Sequence, residues 1–170
     1  YAMLNGVDAI YQVTEENLVW ATTTPTDIAS KLVLGTYVWD VGSLDVSVGE
    51  QKFQFQVTGS DKDTAVVTLN GESTDKERYR QFYSFLLNTT AETVKLDGEP
   101  AGEMLGEIHV KTQDGKFERD LQFYAIDEFT CLITADGKSA YTCRKTYLDT
   151  LLNNMNIYDD TSQDFTTNWS

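Results

Sequence analysis

Two cysteines, a single histidine, 27 acidic residues and an aromatic content of 12% are the chemical inventory of this 170-residue chain. Cys131 and Cys143 flank the dipeptide Asp136-Gly137, whose residues tolerate the positive φ that tight hairpin turns require. With strict alternation, Cys131, Ile133, Tyr141 and Cys143 share one face of such a hairpin. A loop of odd residue count sets Cys131 opposite Cys143, and a one-residue slip separates them. Two readings stand. One is a cross-strand disulfide, which suits the Cα spacing of an antiparallel pair and is favoured by export. The other is a pair of small, reduced core side chains. Catalytic thiol chemistry is disfavoured, because His109 is far away in sequence.

His109 sits between Ile108 and Val110 and is expected on the opposite, wetter face of their strand. A general base would need a partner carboxylate and a pocket, and neither is visible in the sequence. Asp61-Lys62-Asp63 resembles the start of a calcium loop. Thr64, Ala65 and Val66 do not supply the further oxygen ligands and closing glutamate of such a loop, so a hairpin turn is expected. A carboxylate-based hydrolase would need two acids converging in a cleft, and no pair stands in a recognisable strand-end setting. No catalytic, cofactor-binding or metal-ligating set is therefore assigned. Most aromatics fall at helical or strand spacing and read as core. Exposed ones could stack on sugar rings. Trp20, Trp39 and Tyr124 are the contact candidates for a ligand or partner, Tyr124 because it shares a face with Gln122 rather than with Leu121 and Phe123.

These residues are carried mainly by strands. Leu44, Val46 and Val48 alternate with Asp45 and Ser47, as Phe53, Phe55 and Val57 do with Gln54 and Gln56, which marks strands with one buried and one wet face. Gly49-Glu50 reads as the turn between them, and Ala65–Leu69 as a third strand. Ile108 and Val110, then Leu121, Phe123 and Ala125, repeat the pattern around Asp114-Gly115. Five Asn-Gly or Asp-Gly dipeptides punctuate the chain. Three helices are expected. One lies near Glu15–Thr22, with a short helical turn at Thr26–Lys31 after it. The second starts at Thr74, which forms a capping box with Glu77 and places Tyr79, Phe82, Tyr83 and Leu86 on one face. The third runs from about Thr146 with Leu148, Leu151, Leu152 and Met155. The fold class is α+β: mainly antiparallel sheets, as hairpins and meanders, backed by about three helices.

Residues Tyr1–Ala21 and Cys131–Leu151 share one layout of strand, turn dipeptide, strand and helix start, 130 residues apart. Tyr11 matches Tyr141, Leu18 matches Leu148 and Val13 matches Cys143. This internal strand-strand-helix repeat suggests a first unit over residues 1–100 that begins mid-unit. A second unit over 101–158 packs on it, and a polar tail covers 159–170, frayed or docked by Phe165 or Trp169. The formal net charge of −14 repels phosphate backbones and anionic membranes, so nucleic-acid binding is not expected. No stretch approaches the length of a membrane span.

The run from Tyr1 to about Val94 resembles a bacterial family known as domain of unknown function 4340. The likeness rests on Ala9-Ile10-Tyr11-Gln12-Val13, Leu18, Pro25–Leu34, the element Asp40-Val41-Gly42-Ser43-Leu44-Asp45-Val46, and Arg78–Leu87. Residues Gly106–Leu152 look like a further copy of the hairpin region. The resemblance implies a lipoprotein-like cell-envelope protein located outside the cytoplasm, held to the membrane only through an anchor that this chain lacks. It also implies envelope proteins or transporter-associated components as partners, and it brings no catalytic motif. Three function readings follow: a non-enzymatic interaction or scaffold module, a saccharide- or small-ligand-binding module using exposed aromatics, and the carboxylate-based hydrolase.

Overall fold

The computed structural model describes residues 2–3, 10–11, 33–88, 91–96 and 99–167. The chain forms two compact units, Tyr1–Ser30 and Lys31–Ser170. In the first, β1 (Ala2–Met3) and β2 (Ile10–Tyr11) pair antiparallel, with Ala2 opposite Tyr11 and Met3 opposite Ile10. The turn dipeptide Asn5-Gly6 between them lies outside the described residues. The expected helix near Glu15–Thr22, the turn at Thr26–Lys31 and Trp20 lie outside the described residues, as does most of the first copy of the suggested repeat.

The second unit is built on one antiparallel sheet of nine strands. In chain order these are β3 (Val41–Val48), β4 (Gln51–Thr58), β5 (Val66–Leu69), β6 (Glu72–Ser73), β7 (Thr93–Val94), β8 (Met104–Thr112), β9 (Glu118–Ala125), β10 (Thr130–Ala135) and β11 (Lys138–Arg144). Helix α1 (Lys76–Leu87) follows β6, and α2 (Thr146–Asn156) follows β11. Two helices thus stand among the described residues. The spatial order is β6-β5-β4-β3-β8-β9-β10-β11-β7. Each half is a four-strand meander followed by a helix, and the first strands of the two meanders, β3 and β8, lie side by side. One sheet therefore carries strands from both sides of residue 100.

Period-two alternation decides which face is buried. Leu44 and Val46 of β3, Phe53 and Phe55 of β4, Ile108 and Val110 of β8, and Leu121 and Phe123 of β9 all point into one core. The helices lay their apolar faces on that side. Phe82 of α1 sits 5.8 Å from Phe53 and 5.7 Å from Phe55, ring centre to ring centre. Tyr147 of α2 stacks between Phe85 of α1 at 5.4 Å and Phe123 of the sheet at 5.8 Å. Aromatic contacts of this kind add about 0.5–1.5 kcal/mol each beyond area burial.

The N-terminus of α1 departs from the expected capping box. Asp75, not Thr74, is the N-cap, and its carboxylate accepts a 2.7 Å hydrogen bond from the Arg78 backbone N–H. Asp is as good a cap as Thr, and the chain enters the helix one residue later. Thr74 donates instead to the Tyr158 hydroxyl, and Glu77 pairs with Arg80 and Lys62 rather than reaching back.

Arg78 is the principal buried charge, only 6% exposed. Its guanidinium donates to four backbone carbonyls: Tyr158 at 2.9 Å, Ile157 at 2.8 Å, Gln163 at 2.9 Å and Asp160 at 3.3 Å. Ile157 is the C-cap of α2, so a cation here also complements the negative end of that helix. The Phe165 ring covers the guanidinium at 3.6 Å. Asn154 exchanges a pair of hydrogen bonds with Thr166, at 2.9 Å each way. The tail is thereby docked through Phe165 as far as it is described.

Replacing Arg78 with Lys keeps the charge but loses the planar fork that serves several carbonyls at once. Arg78→Lys is expected to lower unfolding stability by about 2–4 kcal/mol in urea titrations and to raise amide exchange over residues 160–166. A loss below about 0.5 kcal/mol, within the ordinary range of surface changes, would contradict this role.

Candidate functional site

Neither described helix covers the second face of the sheet between β4 and β9. Pairing register lines its side chains up in rows across the strands. One row reads Gln54, Asp45, His109, Asp120; the next reads Lys52, Ser47, Glu107, Gln122; a third reads Gln56, Ser43, Lys111, Glu118. The first two rows border a shallow concavity of about 360 Å³. The strip arises because each strand spends alternate residues on the core, leaving the others to solvent and to one another.

His109 lies at the centre of the strip. Its Nε2 stands 3.3 Å from Glu118 Oε1, and its Nδ1 stands 3.7 Å from Asp120 Oδ1. Lys111 Nζ lies 3.1 Å from the other oxygen of Glu118. The expectation of a surface histidine on the face opposite Ile108 and Val110 agrees with this placement. The carboxylates missing from the local sequence are supplied by β9, whose pairing with β8 sets them beside the ring, and the concavity is formed mainly by β3, β4 and β8. Because both ring nitrogens are turned toward carboxylates, the arrangement reads as a cluster of ionisable groups on the polar face of the sheet. With these side chains one-third to one-half exposed, the pairs contribute little to stability and more to the shape of the surface potential.

Toward β10 the same face is closed. Tyr124 is half-buried, and its hydroxyl donates to Gln122 Oε1 at 2.9 Å. Its cross-strand neighbour Leu132 is buried. Lys95, Ala101 and Gly102, from the segment that leads from the edge strand β7 back to β8, border a cavity with these two residues. Tyr124 is therefore a wall residue with a spent hydroxyl. Trp39 is 3% exposed and packs 6.2 Å from Tyr79, so it serves the core. Asp61 makes the expected turn. Its carboxylate accepts from the backbone N–H groups of Asp63 and Thr64, both at 2.9 Å, and these bonds hold its pKa below the usual value. No group of three or more His, Cys, Asp or Glu side chains among the described residues is arranged to hold a metal ion.

Cys131 and Cys143 stand directly opposite each other on β10 and β11, as buried free thiols. The tip is a two-residue turn in which Asp136 and Gly137 have φ of 51° and 77°. Such a turn alone would leave the cysteines one place out of step. A register shift beyond Ile133, which leaves Ala140 unpaired, restores the match. The Cys143 thiol donates to the Cys131 sulfur. That bond, with Lys145 nearby, lowers the Cys131 pKa, whereas the same bond and burial push Cys143 up.

No protein-family model matches this sequence, and no curated protein or solved structure matches it.

Two measurements probe these placements. On equilibration with oxidised glutathione, Cys131 is expected to form a mixed disulfide that Cys143 resolves, releasing two glutathione thiols. The protein then loses about 2 Da and both alkylatable thiols. Two free thiols after oxidation and unfolding would contradict the pairing. The second concerns Asp114, whose carboxylate accepts from Lys116 N–H, pairs with Lys116 Nζ and accepts from Thr112 Oγ1, which lowers its pKa from 3.8 to about 2. A carboxylate depressed on folding stabilises above its unfolded pKa and loses that contribution as pH falls through the folded one. Asp114→Asn should therefore reduce the urea midpoint slightly at pH 7, and the gap should narrow as pH drops from about 4 toward 2. A gap constant with pH would assign the loss to something other than charge.

Proposed function

We propose that this chain is a non-enzymatic interaction module, working outside the cytoplasm as a scaffold part of a bacterial cell-envelope protein. The strip from β4 to β9, which neither described helix covers, is its contact surface. The observation that carries this reading is the strip itself: three in-register rows of acids, bases and amides on a sheet whose other face is filled by core. A broad polar surface of this shape suits another macromolecule better than it encloses a small reactant. With 27 acids against 13 lysines and arginines, a cationic partner surface is the complementary one. The envelope setting, the membrane anchor and association with transporter-associated components rest on the family resemblance alone.

A photo-cross-linking residue at position 45, in the full-length protein in bacterial cells, is expected to give adducts with envelope proteins. The same probe at position 72, on the edge strand β6, should not. Adding Glu107→Lys and Asp120→Lys should cut the position-45 adducts several-fold by reversing the surface potential. Adducts that are equal at both positions, or recovery of the protein only from soluble cytoplasm, would overturn the proposal.

A further inference from the structure

Where the segment at 33–40 enters β3, it meets the β8–β9 hairpin and the β4–β5 turn around a further cavity of about 430 Å³, within the usual range for small-ligand sites. This end of the unit is pinned firmly. Gln113 Nε2 donates to the carbonyls of Gly59 at 2.7 Å, Trp39 at 2.8 Å and Val41 at 3.3 Å. Gln113 N–H donates to Asp40 O at 2.8 Å, Asp40 N–H donates to Tyr37 O at 3.0 Å, and the buried Tyr83 hydroxyl donates to Thr36 O at 3.0 Å. Yet Tyr37, held by these bonds, is 61% exposed. Ordering a surface loop around an aromatic ring that the core does not use is costly, and a rigid exposed tyrosine is a low-entropy contact for a ligand.

The unspent hydrogen-bonding groups of the lining include two acceptors, Asp40 and Gln113 Oε1, beside the hydroxyls of Thr36 and Ser60, which can donate or accept. The Asp40 carboxylate makes no hydrogen bond or ion pair among the described residues. Three carbonyls around Gln113 Nε2 fix the orientation of that amide, and Oε1 is left without a donor among the described residues. Asp114, by contrast, is spent on Thr112 and Lys116. An occupant that donates to the two acceptors, exchanges hydrogen bonds with the hydroxyls and lays an apolar face on Tyr37 and Phe117 fits this lining. A neutral pyranose does both: hydroxyls around its rim donate, and the axial C–H groups of one face meet an aromatic ring. An organic ammonium would answer the ring and Asp40, but it would face the Lys116 amine, which lines the same cavity.

We propose that this cavity is a saccharide-binding site, with Tyr37 as the stacking platform and Asp40 and Gln113 Oε1 as acceptors for sugar hydroxyls. It is separate from the β4–β9 strip, so either assignment can fail without the other.

The test is an NMR titration of the isotope-labelled full chain with cellobiose, lactose and N,N′-diacetylchitobiose, and with choline as the cationic comparator. At least one disaccharide is expected to shift the amides of residues 35–40 and 112–117, with a dissociation constant on the order of 1 mM. Tyr37→Ala, a change at an exposed side chain, should weaken that binding at least about tenfold, and Asp40→Asn several-fold, with the remaining spectrum unchanged. The proposal is overturned if no disaccharide moves these amides at tenfold above that concentration. It is equally overturned if both variants bind as well as the parent, if choline alone produces the shifts, or if the shifts fall on residues 45, 107 and 109 instead.

Discussion

Seven residue pairs, from Val41 opposite Thr112 to Val48 opposite Gly106, join β3 to β8 and turn two meanders into one sheet. Each meander with its helix is about 50 residues, a size at which a single core is marginal. Joined at this seam, their apolar faces become continuous, and α1 and α2 share one floor. The ring of Tyr147 can then stack on Phe85 of the other helix and on Phe123 of the sheet at once. The seam also explains a small residue at its end, among otherwise bulky neighbours. A Cβ at Gly106 would come within 2.8 Å of the Ser47 carbonyl oxygen and 3.1 Å of Val48 Cγ2, so the close approach of the two strands there needs glycine.

Arg78 solves a different problem on the core side. The chain leaves α2 over the aromatic cluster of Phe53, Phe55, Phe82 and Tyr158, where carbonyls of the exit turn face little water. A guanidinium supplies several donors from one side chain in a fixed plane, and it satisfies carbonyls from Ile157 to Gln163 together. Burying a charge carries a heavy desolvation cost, which these bonds, the helix end and the Phe165 ring offset. The polar tail is ordered as a consequence.

On the opposite face, the same pairing brings His109, Asp45, Asp120 and Glu118 together. None of these belongs to a local motif. They are neighbours because β8 lies between β3 and β9 and the ladders are in register. The cavity around Tyr37 has a similar origin, assembled from three connections that meet at one end of the sheet and locked by a single glutamine amide.

Much of the strand and helix pattern was legible in the chain. Alternation at Leu44–Val48 and Phe53–Val57 placed two strands and their buried faces, and the spacing of Tyr79, Phe82, Tyr83 and Leu86 placed α1. Asp136-Gly137 located a hairpin. The two-residue strands β6 and β7 left no comparable signal, because two residues cannot display a period. The role of Arg78 was not legible, since nothing nearby in sequence reveals that distant carbonyls will need its donors. Trp39 and Tyr124 looked like contact candidates. Packing against Tyr79 took the first, the second stays half-buried at the border of a cavity, and Tyr37 is an exposed ring that the sequence did not single out.

By itself, then, the sequence determined which side of each long element is apolar, because that follows from periods of 2.0 and 3.6 residues written locally. Only the tertiary structure decided which strands are neighbours and in what register. An alternating pattern is satisfied by any partner with a matching apolar face, whereas neighbours and register depend on contacts between residues far apart in the chain. The unpaired Ala140 that sets Cys131 opposite Cys143, and the β8–β9 pairing that gives His109 its carboxylates, are both decisions of that second kind.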